Sequence, residues 1–281
     1  WEVGTAGTRV QKLDVAWTSD TNKTTREKPL SKIQHALECN KIAWDGIANN
    51  SDSRPLTWTV LGWAGTQRYA VCWTGDQYGN WDLIRYHIPT LITSGMSGQA
   101  YATTDVDGIF GGSPETYTRD LQWKCFTPAI YVMNGWSHMP KSPWNYEEPY
   151  RSINRDYLKL KLRMTPYMYK YAHDAAMTGA PIVRGMLWNF PNDRKTWDKS
   201  TQYQFMLGEH LLVAPVFTSM NLNKGWRKED IYLPEGVWFD YWDGRAVPGP
   251  YTIDNYPITL EKLPIFVRAG AIIPMYPEML Y

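Results

Sequence analysis

The chain has 281 residues, 43% of them hydrophobic, enough for one large domain or two modest ones around a packed core, which excludes a disordered chain. Its 29 basic and 28 acidic residues are mixed along the sequence for a net charge of +1, so the basic stripe or acidic tail of a polyanion binder is missing and nucleic acid is disfavoured as a partner. No run of about 18 apolar residues occurs, which argues against a membrane-spanning helix.

The first two thirds alternate strand-like and helix-like segments. Val10 to Ala16 reads as a buried strand and Pro29 to Trp44 as a helix opened by proline, with Leu30, Ile33 and Leu37 apolar. Leu56 to Leu61 and Tyr69 to Trp73 read as strands. A helix is expected near Asn80 to Ile92, striped by Leu83, Ile84, His87, Ile88 and Leu91, with Pro89 as a kink site. His87 on that stripe reads as a core or interface histidine rather than a ligand. Gln99 to Thr103 is a further strand. Ser113 and Pro114 form an N-cap with proline at the first helical position, opening a helix to about Phe126. Pro128 to Met133 is the next strand, and a long helix from Ile153 to Met177, bent at Pro166, ends at Gly179.

After Gly179 the pattern becomes all-β. Pro181 to Phe190, Leu211 to Phe217, Asp230 to Leu233, Val237 to Trp242 and Ile265 to Arg268 read as short strands, with turns at Pro234-Glu235-Gly236 and Asp243-Gly244. Repeated strand–helix units imply parallel strands with crossover helices. Only about five such strands are present where a closed barrel needs eight. The expected fold is therefore α/β, the C-terminal half of a (β/α)8 barrel over 1–180, followed by an all-β sandwich domain over 181–281.

Two carboxylates end apolar β-type segments in aromatic company: Asp14 after Val10-Gln11-Lys12-Leu13, and Asp76 in Trp73-Thr74-Gly75-Asp76-Gln77. Acids at barrel strand ends are positioned for catalysis. The 15 Trp and 19 Tyr either fill the core or stack on sugar rings, and composition alone leaves both readings open. Asp14 by itself reads more readily as a helix or turn cap than as a catalytic group. Cys39, Cys72 and Cys125 are odd in number and far apart, and read as buried thiols rather than a disulfide framework or zinc site. Asn22-Lys23-Thr24 and Asn49-Asn50-Ser51 match the N-glycosylation acceptor pattern and permit a secretory, lysosomal or periplasmic route. Trp1 opens directly into barrel-like sequence, so the chain reads as cut, processed or partly observed.

These motifs resemble glycoside hydrolase family 31, the retaining α-glycosidases. The likeness runs over nearly the whole chain, including Val237-Trp238-Phe239-Asp240-Tyr241-Trp242-Asp243-Gly244 and Pro264-Ile265-Phe266-Val267-Arg268-Ala269-Gly270-Ala271-Ile272-Ile273-Pro274. The resemblance implies that Asp14 is the nucleophile, that Asp76 of Trp-x-Gly-Asp is the acid/base, and that Asp105 of Thr104-Asp105-Val106-Asp107-Gly108-Ile109-Phe110 binds substrate. Asp107 is a second sugar ligand or a loop cap, both open. A retaining glycosidase needs one ionised and one protonated carboxyl roughly 5–5.5 Å apart. Asp76 then requires a pKa raised by burial among Trp73, Trp81 and the neighbouring charge, while Asp14 stays ionised beside Arg68 or Lys12. No cofactor or metal is needed.

The chain departs from the family pattern at three places. Met133 stands where common α-glucosidases carry a sugar-binding His, the loop Gly62-Trp63-Ala64-Gly65-Thr66-Gln67 replaces one that carries an Arg, and Val15-Ala16-Trp17 replaces Met-Asn-Glu. A site that exchanges polar clamps for Trp17, Trp63, Met133 and Trp136 becomes roomier or more apolar, which suits an acetamido group. The combination is similar to the branch acting on α-linked N-acetylgalactosamine. An α-glucosidase or α-glucosyltransferase is the alternative, and an inactive carbohydrate-binding subunit is the alternative of another class. The expected partners are a carbohydrate substrate and the missing N-terminal part of the barrel.

Overall fold

The computed structural model describes residues 2–3, 10–13, 32–60, 62–135, 140–220, 227–228 and 230–278. The chain divides into two compact units, Trp1–Gly75 with Tyr101–Thr103, and Asp76–Ala100 with Thr104–Tyr281.

In the first unit β1 (Glu2–Val3) pairs antiparallel with β2 (Val10–Leu13). Beyond it, β2, β3 (Leu56–Thr59), β4 (Val71–Trp73) and β5 (Ala102–Thr103) lie side by side in parallel. Parallel neighbours cannot be joined by a hairpin, and α1 (Lys32–Asn50) supplies the crossover from β2 to β3 and packs on both. Thr57 and Thr59 are buried, and the Thr57 hydroxyl donates to the Tyr69 carbonyl. That hydrogen bond falls in the turn before β4, which begins at Val71 rather than at Tyr69.

In the second unit α2 (Trp81–Met96) starts where Asn80 Oδ1 accepts the Leu83 amide at 2.7 Å, and it runs through Pro89. α3 (Pro114–Lys124) opens on a full capping box, the Ser113 hydroxyl accepting from the Thr116 amide at 3.1 Å while Thr116 Oγ1 accepts from the Ser113 amide at 2.8 Å. The strand expected over Pro128 to Met133 reduces to one parallel bridge, Asp105 with Tyr131. The long helix expected over Ile153 to Met177 is two helices, α4 (Tyr150–Arg163) and α5 (Thr165–Thr178), broken at buried Met164. Pro166 lacks the amide that a continuous helix would use, and in the first turn of a new helix none is needed. Gly179 ends α5 with φ of 75°, its amide bonding the Ala175 carbonyl at 2.9 Å.

A six-stranded antiparallel sheet follows, in the order β11 (Ala246–Ile253), β10 (Ile231–Asp240), β13 (Ile265–Arg268), β8 (Leu211–Val213), β7 (Phe205–Leu207) and β6 (Val183–Arg184). The strand expected across Pro181 to Phe190 is short β6 and then a helical turn, α6 (Met186–Asn189). The turn expected at Pro234-Glu235-Gly236 is a bulge inside β10, whose register to β11 shifts between Leu233 and Gly236. A second pairing joins β9 (Arg227–Lys228) to β12 (Tyr256–Pro257). The core of this sheet is built on Trp238, Met206, Leu212, Leu233 and Phe266, all fully buried. Such side chains contribute about 1.5–3 kcal/mol each. Among the described residues no helix is long and apolar enough to cross a membrane.

Candidate active site

Asp76 follows β4 by three residues. Gly75 turns the chain there with φ of 90°, and a Cβ on it would meet Val60 Cγ1 at 3.4 Å. From Asp76 onward this loop is pinned to the loop that follows β5. The Gln77 carbonyl accepts the amides of Ile109 at 2.9 Å and Phe110 at 3.3 Å, and Tyr78 forms an antiparallel bridge with Gly108. The ring of Tyr78, 69% exposed, stacks on Phe110 with centroids 4.5 Å apart.

Glycine makes this approach possible. A Cβ on Gly79 would lie 2.3 Å from the Asp107 carbonyl oxygen, one on Gly108 would lie 2.3 Å from the Gln77 carbonyl oxygen, and one on Gly112 would lie 2.4 Å from that of Gly79. The two loops therefore touch backbone to backbone, as only residues without a Cβ allow.

Beneath them is a buried ionic network. Asp105 is 1% exposed, and the Val106 amide bonds the Tyr131 carbonyl at 2.9 Å. Lys124 Nζ donates to the Asp105 carbonyl at 2.5 Å and to Asp120 Oδ2 at 2.6 Å. Asp120 also accepts from the Asp107 amide at 2.7 Å and from Trp123 Nε1 at 2.9 Å. Burial lowers the Lys124 pKa, and the Asp120 charge opposes that shift. His87 Nδ1 lies 3.4 Å from the same ammonium, and its Nε2 lies 2.5 Å from Gln77 Oε1. Burial, then the Lys124 charge, holds the imidazole pKa down to about 2, so the ring is neutral. With Nδ1 facing an ammonium, the ring proton belongs on Nε2 and is donated to Gln77. His87 is thus a satisfied core histidine that steadies the residue beside Asp76.

Asp107 sits in the same network with φ of 59° and is 1% exposed. One of its oxygens accepts the Gly112 amide at 2.5 Å, and Thr116 bonds it as well. Burial and then the Asp120 charge push its pKa up to about 7. Of the two roles read from the sequence, these contacts are those of a loop cap. Lys141, also buried, donates to the carbonyls of Gly108 and, at 3.1 Å, Met133.

The other sequence candidates divide as follows. Trp73 is buried in β4. Trp63 is 57% exposed and Arg68 is exposed, both on the turn after β3 where Trp63 and Thr66 exchange hydrogen bonds of 2.9 Å. Met133 is half-buried. Asp14, Trp17 and Trp136 lie outside the described residues. The burial expected around Asp76 is not met in the structure, where its side chain is exposed. Lys124, Asp120, Lys141 and Gln77 were not singled out in the sequence. The Asp120–Lys124 spacing of four was the available signal, but α3 is buried from Thr116 to Lys124, so no polar face marked the pair. Among the described residues no group of three or more His, Cys, Asp or Glu could hold a metal ion.

The model for the glycosyl hydrolases family 31 TIM-barrel domain matches residues 8–171, and that for the glycosyl hydrolase family 31 C-terminal domain matches residues 179–273. The chain is 32% identical over 243 residues to an alpha-xylosidase of Saccharolobus solfataricus, covering 84% of this chain and 32% of that protein. It is also 32% identical over 224 residues to alpha-glucosidase 2 of Bacillus thermoamyloliquefaciens, covering 79% of this chain and 27% of that protein. Among solved structures, a Flavobacterium johnsoniae GH31 dextranase complexed with glucose superposes with a TM-score of 0.74 at 32% identity, over 86% of this chain and 31% of the other. The chain thus spans about a third or less of the length of these relatives. Four parallel strands that lead into an antiparallel sheet, matched in order by both models, make this chain a member of glycosyl hydrolase family 31, carrying part of its TIM barrel and its C-terminal domain.

Proposed function

We propose that the protein to which this chain belongs is a retaining α-glycoside hydrolase, with residues 1–180 forming the second half of its barrel and 181–281 the β-domain. The observation that carries this reading is the exposed Asp76, fixed through Gln77 and Tyr78 to the loop that begins at buried Asp105. The carboxylate of Asp14 attacks the anomeric carbon as the bond to the leaving oxygen breaks, and Asp76 gives that oxygen its proton. Asp76 then takes a proton from water, which displaces Asp14 from the glycosyl-enzyme ester and releases the sugar with its configuration retained. Asp105 binds sugar hydroxyls. Trp63, Trp73, Arg68, Met133, Trp17 and Trp136 shape the pocket.

For the sugar, an α-glucoside or α-xyloside is the reading the relatives' names support. A second reading, terminal α-linked N-acetylgalactosamine, rests on Met133 and the Trp63 loop at positions where a His and an Arg are usual. The test is hydrolysis of matched chromogenic α-glucoside, α-xyloside and α-N-acetylgalactosaminide by the full-length protein and its Asp14→Ala and Asp76→Ala variants. Cleavage abolished in both variants supports the two-acid mechanism, and the substrate cleaved selects the sugar. Cleavage that survives Asp14→Ala overturns the assignment, and no cleavage of any substrate favours a binding subunit.

A further inference from the structure

The two residues that follow Asp76 each offer the surface a group that the fold has fixed but not used. Gln77 is half-buried, and its side chain reaches in to the fully buried His87. The sense of that contact is set from beneath. An ammonium has only protons to give, and Lys124 Nζ lies 3.4 Å from His87 Nδ1, so Nδ1 keeps its lone pair and Nε2 carries the ring proton. The Gln77 atom that meets Nε2 at 2.5 Å is therefore the carbonyl oxygen. With the oxygen turned toward the core, the NH2 of the same amide is left on the other side. That nitrogen has no hydrogen-bond partner among the described residues. A buried charge thus orients a pair of open donors one residue from Asp76.

Tyr78 supplies the complementary surface. Its backbone is bridged to Gly108, and its ring stacks on Phe110 with centroids 4.5 Å and planes 24° apart. The residue is nevertheless 69% exposed, so one face of the ring is covered and the other is open. A fixed aromatic face next to amide donors matches a pyranose, which has an apolar C–H face and a polar hydroxyl edge.

The chemistry decides which part of a substrate these groups meet. A proton donor stands at the oxygen that departs, so the exposed surface continuing from Asp76 lies against the leaving group rather than the cleaved sugar. We propose that Gln77 and Tyr78 form the subsite for the leaving group and that this group is itself a sugar, its ring lying on Tyr78 and a hydroxyl accepting from Gln77 Nε2. This placement rests on the reading of Asp76 as the proton donor.

The test is the ratio of kcat/KM on maltose to that on α-glucosyl fluoride for the full-length protein, or on the matching disaccharide and fluoride where another sugar is the one cleaved. Fluoride departs without occupying a sugar subsite, so the ratio isolates the leaving-group contacts from folding and from the cleaved sugar. Tyr78→Ala and Gln77→Met should each lower the ratio about three- to tenfold, the loss of one stacking contact or one neutral hydrogen bond. Tyr78→Phe, which keeps the ring face, should restore it. An unchanged ratio in both variants, or equal losses on both substrates, overturns the proposal. A ratio that falls only when an aryl glycoside replaces the disaccharide overturns the sugar as leaving group. Asp76→Ala should lose far more on the disaccharide than on the fluoride, whose departure needs no proton; equal losses there overturn the proton-donor reading and this placement with it. Cleavage of neither substrate by the unaltered protein overturns the hydrolase reading as a whole.

Discussion

Replacing Lys124 with methionine tests whether the buried network holds the loop that begins at Asp105. Methionine keeps most of the apolar stem and removes only the ammonium. Two charge-assisted hydrogen bonds disappear, at 2.5 Å to the Asp105 carbonyl and at 2.6 Å to Asp120, worth about 1.5–3 kcal/mol each. Asp120, fully buried, is left as an uncompensated charge, and breaking a buried pair from one side costs about 3–5 kcal/mol. Lys124→Met should therefore lower the unfolding free energy of the full-length protein by at least about 3 kcal/mol. The measurement is urea unfolding followed by tryptophan fluorescence, with variants compared at a common slope. Adding Asp120→Asn removes the stranded charge, so the double variant should lose less than the sum of the two single losses. A single-variant loss under about 1 kcal/mol, or strict additivity in the double variant, would refute the reasoning.

Other outcomes follow from the same contacts. Burial pushes the Asp107 pKa in the folded protein up to about 7 from the ordinary carboxyl value of 3.8, so its contribution is fully present below the lower value and is lost as pH rises through the upper one. Asp107→Asn, which keeps an acceptor for the Gly112 amide, should flatten the fall in stability between about pH 4 and pH 7, and an unchanged pH profile of the unfolding midpoint would count against the assignment. Gly79→Ala places a methyl 2.3 Å from the Asp107 carbonyl oxygen, and should cut kcat/KM about a hundredfold by shifting the loop that carries Asp76; steady-state kinetics checks this. Tyr256→Phe removes the 2.6 Å hydrogen bond to buried Asp240, which keeps the Trp242 amide at 2.9 Å and Lys262 at 3.6 Å, and should cost about 1.5–3 kcal/mol in the same urea experiment.

Legibility in the sequence followed how locally each signal is encoded. Ser113-Pro114 and Gly179 announced a helix start and a helix end because capping is decided within a few residues. β11 was not expected, and its Pro248, Gly249 and Pro250 weaken the strand signal of that stretch. It is an edge strand, where a missing amide costs little, and Gly249 is needed because a Cβ there would lie 2.0 Å from the Pro234 carbonyl oxygen. The same close approach turns the apparent Pro234-Glu235-Gly236 turn into a bulge. At the site, the motifs around Asp76 and Asp105 were legible as short strings, whereas the network under them was not. Asp120 and Lys124 lie one turn apart on α3, which is buried too completely to show a periodicity that would expose the pair, and Gln77, His87 and Lys141 join the network only through tertiary folding.

The glycine seam between the loops at 76–79 and 107–112 separates two tasks that most sites entangle. Apart from the Gln77–His87 contact, the loop that begins at Asp76 is held by backbone carbonyls and amides and by glycines whose missing Cβ atoms permit the approach. Tyr78 and Phe110 project from that seam without carrying it. Substitution of the ring-bearing residues around the seam can therefore redraw the surroundings of Asp76 while the backbone that carries it stays in register.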